Sequence, residues 1–151
     1  IKNYIKFHSK NFERILDTEK KFEFVINDTM ITGVIDLLTK TNENGEITHV
    51  DILDFKTEKE DGIYSVDYEK QVRYYAIGCL ESLGLKPSKA YIHNLNGDKI
   101  KEIDISNDKL IDIKKEIQNQ VNDIHLKKFN AKPEESTCQG CDYKNVCSFK
   151  S

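Results

Sequence analysis

The sequence predicts an α/β domain in which helices flank a mixed central β-sheet. Segments rich in β-branched and aromatic residues occur together with segments whose apolar residues recur at helical spacing, a combination typical of that class. The chain has 151 residues, 38% hydrophobic and 32% charged, which matches one globular domain able to bury an ordinary core without disulfides. The predicted order is a helix, three strands, a helix, two strands, a helix and a cysteine-rich tail.

The first part of the chain is predicted to form a helix followed by a β-hairpin. Apolar positions in residues 1–16 mostly recur at helical spacing, which indicates a helix. Residues 22–26 and 30–38 are rich in β-branched and aromatic side chains, and the Asn-Asp-Thr sequence at 27–29 favours a turn between them. These two segments should therefore pair as antiparallel strands.

Residues 47–56 are predicted to form a third strand, after a turn signal at residues 42–45. Apolar side chains occupy both alternating sets of positions, with Val50 on one face and Phe55 on the other. A strand that is apolar on both faces is typical of the middle of a sheet. We therefore expect this strand at the centre of the sheet.

The second part of the chain is predicted to contain two helices and another hairpin. Residues 68–83 carry apolar side chains on one helical face. Residues 90–95 and 100–105 should form strands, because the Asn-Gly sequence between them is a strong hairpin signal. Residues 106–124 show helical periodicity again, and this helix ends the predicted fold before the tail.

Composition limits the classes of function. No apolar run reaches the roughly eighteen residues that a membrane helix needs, and the first residues lack the layout of a signal peptide. We therefore expect a soluble, cytoplasmic protein with no membrane partner. The net charge of -3 argues mildly against a module that binds nucleic acid through its overall field. The sequence begins at Ile1, inside a predicted helix, so we expect a piece of a longer protein.

Two aspartates and a lysine on neighbouring predicted strands form the main candidate site. Asp54 and Lys56 are two residues apart, so both project from the same face of a strand. Phe55 points to the other face and offers only its main-chain carbonyl. Asp36 lies on the preceding strand, where pairing could bring it beside Asp54. Two aspartates and a carbonyl suit Mg²⁺ or Mn²⁺, the ions used to hydrolyse phosphodiesters, and a lysine beside the ion can orient or deprotonate the attacking water.

The surroundings of this pair favour a functional site over a surface salt bridge. Apolar side chains precede Asp54 and Lys56 on their own face, and a buried face does not carry these charges without compensation. Gln71 and Tyr75 are four residues apart on the predicted helix, so they share a face and could both lie over the strand end. Asp54, Lys56, Gln71 and Tyr75, together with Asp36, are the candidate catalytic set.

The order Gly33-x-x-Asp36, Asp54-x-Lys56 and Gln71-x-x-x-Tyr75 resembles the PD-(D/E)XK nuclease superfamily and, within it, the RecB-like branch. The resemblance implies a restriction-endonuclease-like core in residues 1–129. It also implies a metal-dependent deoxyribonuclease that acts on single-stranded DNA or DNA ends, as an exonuclease rather than an endonuclease. Gly33 and Glu23 are secondary site residues in this comparison.

Residues 130–151 form the cysteine-rich tail, with the residues Cys138, Cys141 and Cys147. Their spacing looks like that of the C-terminal cysteines with which RecB-like nucleases hold a [4Fe-4S] cluster. Closely spaced thiols favour metal over disulfide, but spacing leaves Zn²⁺ open, with His125, Asp142 or water as a further ligand. Cys79 is more typical of a core residue than of a fourth ligand.

The resembled family also places a fourth cysteine and a metal-binding histidine ahead of these strands. His8 does not carry the expected pattern around it, and His49 and His93 are interpreted as structural. Both missing ligands are therefore expected upstream of Ile1, so the isolated chain could be weakly active.

Three hypotheses about the whole protein follow from the resemblance. The first is a nuclease domain attached to a UvrD/RecB/AddB-type helicase, in the same chain or in a partner subunit, in DNA repair or recombination. The second is a stand-alone CRISPR adaptation nuclease. The third is an inactive nuclease-like module that binds DNA or has a structural role.

Overall fold

The computed structural model describes residues 9–41, 48–57, 66–96, 98–131 and 133–149, and for residues 9–11 it describes the backbone alone. A short 3₁₀ helix, Ser9–Arg14, comes first. The strands are β1 (Ile15–Ile26), β2 (Thr29–Lys40), β3 (His49–Lys56), β4 (Lys86–Asn94) and β5 (Lys99–Glu102). The helices are α1 (Val66–Glu81), α2 (Asn107–His125) and α3 (Glu135–Gln139).

The five strands form one sheet in the order β1-β2-β3-β4-β5. β3 and β4 run parallel, whereas the other neighbouring strands are antiparallel, so the sheet is mixed as predicted. A parallel pair needs a crossover connection, and α1 lies between β3 and β4 in the sequence and packs on the sheet. The central position predicted for the third strand is confirmed.

The helices α1 and α2 confirm the predicted helical segments at 68–83 and 106–124. The core lies between the sheet and α1, and α2 packs against α1 and β1. α2 buries Ile113, Ile117 and Val121, which are four residues apart and therefore share one face. No helix in the described part of the chain has both the length and the apolar character needed to cross a membrane.

The prediction of a helix through residues 1–16 is wrong at its C-terminal end. The helical turn ends at Arg14, and β1 begins at Ile15, which pairs with Thr39 of β2. Leu16 packs against the core from this strand. Pairing with a long neighbouring strand overrides the local spacing, because short apolar segments fit both periodicities. Residues 1–8 and the turn signal at 42–45 lie outside the described residues.

β5 is shorter than the strand predicted at residues 100–105. Its ladder with β4 ends at Glu102, which pairs with Tyr91. Ile103 is buried, and its N–H donates to the carbonyl of Ala90 at 2.8 Å. Ile105 is partly buried against the core. These two isoleucines therefore contribute to the core after the strand has ended.

The ring of Phe22 in β1 sets how closely β2 and α1 approach. A Cβ atom at Gly33 would lie 2.4 Å from this ring, and a Cβ atom at Gly78 would lie 2.5 Å from it. Distances this short are not tolerated between carbon atoms in a packed core. Glycine at both positions therefore lets the strand and the helix meet around one aromatic side chain, which fixes α1 over the sheet.

Candidate active site

On one face of β3, alternate side chains run from the core to the candidate site. Val50 and Ile52 are fully buried, and Asp54, next on the same face, is only 1% exposed. The Nζ atom of Lys56 lies 2.7 Å from Oδ2 of Asp54. This is a close ion pair with poor hydrogen-bond direction, because no donor in the described part of the chain has hydrogen-bond geometry to either carboxylate oxygen. Asp54 is thus a buried carboxylate with both oxygens incompletely satisfied.

Burial dominates the electrostatics of Asp54. Loss of hydration raises the pKa of this carboxyl group above its usual value, and Asp36 adds to the rise, while the contact with Lys56 acts in the opposite direction. The effect of Asp36 requires the two carboxylates to be close. A positive ion between them would favour the charged form and so oppose both causes of the raised pKa.

Asp36 is half-buried on β2, close to the end of the ladder with β3. Leu37 pairs with Leu53, which places Asp36 next along the strand on the side of Asp54. Oδ2 of Asp36 accepts a hydrogen bond of 2.7 Å from the main-chain N–H of Phe55. The main chain of β3 therefore orients the second carboxylate directly.

The ammonium group of Lys56 is held from three directions. Besides the contact with Asp54, it donates to Oε1 of Gln71 at 3.0 Å and lies 4.6 Å from the ring centroid of Tyr68. A cation over an aromatic face is attracted by the ring quadrupole. The side chain of Lys56 is 15% exposed, so the group is mostly desolvated but reaches the surface.

Gln71 and Tyr75 lie on the face of α1 that meets the end of β3, as their spacing predicts. Nε2 of Gln71 donates to the hydroxyl of Tyr75 at 2.6 Å, and this bond fixes which end of the amide faces Lys56. Tyr75 is buried, and burial together with the negative charge of Asp54 raises its pKa to about 12. It therefore stays a neutral phenol that anchors Gln71.

Tyr68 is a site residue that the sequence interpretation assigned only to the apolar face of the helix. It precedes Gln71 by three residues, so the two side chains are neighbours on α1. This three-residue spacing is the feature of the sequence that could have identified Tyr68 as a site residue. An aromatic side chain one turn from the glutamine could have been proposed as a support for the lysine.

The two secondary residues, Gly33 and Glu23, do not touch the carboxylates. Gly33 lies three residues before Asp36 and accommodates the Phe22 ring, so its role is in packing. Glu23 is exposed on β1 and pairs with Thr32, four residues before Asp36. Four residues of extended strand span about 13 Å. The structure therefore separates Glu23 from Asp36.

The cysteines differ sharply in their surroundings. Cys79 is fully buried in the core, and burial raises the pKa of its thiol to about 12, so it is a packing residue rather than a ligand. Cys138 and Cys147 are half-buried and Cys141 is exposed, and none of the three is joined in a disulfide within the described residues. Nε2 of His125 lies 2.9 Å from Oγ1 of Thr29, so this histidine contacts the β1–β2 hairpin.

The donor set at Asp36 and Asp54 fits a hard divalent cation. A buried carboxylate without directed donors is costly, and a cation would satisfy its oxygens. In the described segments, no group of three or more His, Cys, Asp and Glu side chains could hold a metal ion by itself. Two carboxylates are still sufficient for Mg²⁺, which usually completes its shell with water and substrate phosphate.

This arrangement on a mixed five-stranded sheet places the chain in the restriction-endonuclease-like α/β class. A family model of the PD-(D/E)XK nuclease superfamily matches residues 3–148. The chain therefore belongs to the PD-(D/E)XK nuclease superfamily. The match runs through both the site and the cysteine tail. No curated protein sequence matches the chain.

Several solved structures share the fold, including the following two. The crystal structure of SSO0001 superposes with a TM-score of 0.61 at 17% identity and covers 99% of this chain and 67% of its own. A provisionally named exonuclease from Eubacterium rectale superposes with a TM-score of 0.54 at 13% identity, covering 93% of this chain and 55% of its own. At these identities the likeness concerns the fold alone. The chain spans about two thirds and about half of these two proteins.

Proposed function

We propose that this chain is a deoxyribonuclease domain that uses Mg²⁺ or Mn²⁺ to hydrolyse phosphodiester bonds. The observation that carries the proposal is the buried Asp54 carboxylate, whose incompletely satisfied oxygens lie beside Asp36 and against Lys56. Burying such a group lowers the stability of the fold. Its presence therefore favours a role in function over a purely structural role. Membership of the superfamily supports DNA as the substrate.

Asp36 and Asp54 would hold the cation, with the carbonyl of Phe55 as the third proposed ligand. When bound, the cation would place positive charge on the phosphate and lower the pKa of a water molecule. Asp36 is held ready by the N–H of Phe55 at 2.7 Å. The chain thus offers a prepared set of oxygen atoms, and water and phosphate oxygens would complete the shell.

Lys56 would orient the attacking water and the phosphate. Its ammonium group is restricted by Asp54, Gln71 and the Tyr68 ring, and such restriction is what positioning requires. Tyr75 acts on Lys56 indirectly, because its hydroxyl group holds Gln71 in place. With a pKa of about 12, Tyr75 is a poor general base at neutral pH.

The finer assignment is an exonuclease that acts on DNA ends or single strands together with helicase domains, in repair or recombination. The name of the Eubacterium rectale structure supports the exonuclease part. The alternative of the same fold is a stand-alone CRISPR adaptation nuclease, and the domain content of the full-length gene product discriminates between the two. Release of end label from linear DNA, with circular single-stranded DNA left intact, supports an exonuclease.

A separate proposal concerns Cys138, Cys141 and Cys147. Their spacing supports a [4Fe-4S] cluster in the full-length protein, with Zn²⁺ as the alternative. Anaerobic purification of the full-length protein, followed by visible absorption and metal analysis, separates the two. Broad visible absorption together with about four irons per chain supports the cluster. A colourless preparation without iron contradicts it.

The nuclease proposal is tested with the full-length protein in Mn²⁺. Wild type, Asp54→Asn and Lys56→Ala are compared on end-labelled linear DNA and on circular DNA. Lys20→Ala is the matched control, because Lys20 also pairs with an aspartate, Asp17, at 2.8 Å but on the exposed surface of β1. We expect cleavage by wild type and the control only. Equal cleavage by all four proteins contradicts the proposed site, and no cleavage by wild type favours the inactive module.

A further inference from the structure

The buried polar residues of the described segments are concentrated around the end of one strand. They are Asp54 of β3 and the neighbouring residues His93 and Asn94 of β4. In the parallel ladder, Phe55 pairs with His93 and Lys56 pairs with Asn94. Burying polar side chains lowers stability unless they are fully bonded, so their position beside the catalytic strand calls for a reason.

The turn that follows β4 is bonded to the last residues of β3. The N–H of Leu95 donates to the carbonyl of Lys56 at 2.8 Å. The side-chain Nδ2 of Asn96 donates to the carbonyl of Thr57, the next residue of the chain. Two consecutive carbonyls are thus fixed, and one of them belongs to the catalytic lysine itself.

The buried side chains of β4 hold this turn in place. Oδ1 of Asn94, which is fully buried, accepts the N–H of Asn96 at 2.9 Å. Nε2 of His93 lies 2.8 Å from Oδ1 of Asp98, and its ring packs 5.8 Å from the ring of Phe55. We call the residues His93, Asn94, Asn96 and Asp98 the β4–β5 clasp.

We infer that the β4–β5 clasp positions Lys56, with the side chain of Asn96 bonding the clasp to the residue that directly follows the lysine. The inference rests on the proposed nuclease function. The ammonium group of Lys56 lies at the end of a long side chain and must meet Asp54, Gln71 and Tyr68 together. A small rotation of its backbone moves the ammonium group away from that position, and a displacement of about 1 Å costs roughly 100-fold in rate. Asn96 acts through Lys56, because its bonds to Asn94 and to the carbonyl of Thr57 restrain the main chain next to the lysine.

The test uses Asn96→Asp, which keeps the shape and loses the amide donor, and Asn96→Ala. The matched control is Asn122→Ala, another exposed asparagine, whose side chain bonds to Asn27 at 3.2 Å. In Mn²⁺, both Asn96 variants should lower kcat about tenfold and leave KM and Tm nearly unchanged, because DNA binding and the core are untouched. The control should match wild type in all three measurements.

Hydrogen exchange provides a readout that does not depend on activity. The amides of Leu95 and Phe55 should exchange faster in both Asn96 variants, while the amides of α2 keep their rates. Unchanged exchange at both amides overturns the clasp. Unchanged kcat in the Asn96 variants, with Lys56→Ala inactive, overturns the positioning role alone. Full activity of Lys56→Ala overturns the proposed function and, with it, the role of the clasp.

Discussion

The end of β3 and the cysteine tail are built in opposite ways. At the end of β3, Asp54 is 1% exposed, and Lys56 and Gln71 are joined by contacts between the sheet and α1. In the tail, α3 buries no residue, and Tyr143 and Val146 are 74% and 82% exposed. Packing therefore fixes the geometry of the carboxylate–lysine site. The described residues of the tail, by contrast, add no fully buried side chain to the core, so packing there holds the cysteines less firmly.

The largest difference between the two regions should appear in activity. We expect Lys56→Ala to lower kcat in Mn²⁺ by about 100- to 1000-fold, the usual cost of removing one electrostatic contact from an active site. Lys144→Ala in the tail should stay within about twofold, because Lys144 is exposed and distant from β3 in sequence. Single-turnover cleavage of labelled DNA measures both, and a comparable loss in the two variants would contradict the comparison.

The next effect concerns stability. Gly78→Ala places a Cβ atom 2.5 Å from the Phe22 ring, and overpacking of this kind costs about 1–3 kcal/mol, or roughly 2–12 °C in Tm. Gly140→Ala in the tail meets no atom within 4 Å and should change stability by less than about 0.5 kcal/mol. Thermal unfolding decides between them. Equal melting temperatures would show that the approach of α1 to the sheet is not fixed by this ring.

A smaller effect follows from the raised pKa of Asp54. The folded protein holds this proton more tightly than the unfolded chain, whose carboxyl group has a pKa near 3.8. The contribution of the protonated group to stability is therefore present below pH 3.8 and is lost as the pH rises through the folded pKa. In EDTA, Asp54→Asn should be more stable than wild type by about 1 kcal/mol at neutral pH. A variant less stable than wild type at neutral pH would contradict this.

The smallest effect is expected for the tail thiols without metal. Replacing Cys138, Cys141 and Cys147 together by serine should change the Tm of the metal-free domain by less than about 2 °C, because these side chains are not in the core. Cys79→Ser is the contrasting variant. It puts a hydroxyl into an apolar core and should lower the free energy of unfolding by about 1–3 kcal/mol. Differential scanning calorimetry in EDTA checks both.

The sequence predicted the parts of the site that follow from local periodicity. Strand alternation placed Asp54 and Lys56 on one face, and the four-residue spacing placed Gln71 with Tyr75. It did not predict the bond from Phe55 to Asp36, because that bond depends on the register between strands. The role of those residues in catalysis stays a prediction.

The same limit explains the remaining differences in the fold. The helical spacing of apolar residues near Ile15 predicted a helix, but Ile15 pairs with Thr39 and lies in a strand. No local pattern in the sequence predicts that pairing. The surroundings of His93 and Asn94 were missed for the same reason, since their neighbours Phe55 and Lys56 are nearly forty residues away in sequence and meet them only across the parallel ladder. The sequence pattern therefore does not predict which distant residues pair across the sheet.

The central claim, that Asp36 and Asp54 form a divalent-cation site, is tested most directly by Mn²⁺ binding. Thermal unfolding of wild type and Asp54→Asn is followed over increasing Mn²⁺. Wild type should gain about 2.7 kcal/mol when Mn²⁺ reaches roughly 100 times its dissociation constant, whereas Asp54→Asn should show almost no gain over the same range. An equal gain in the two proteins would contradict the account, because the cation would then bind elsewhere.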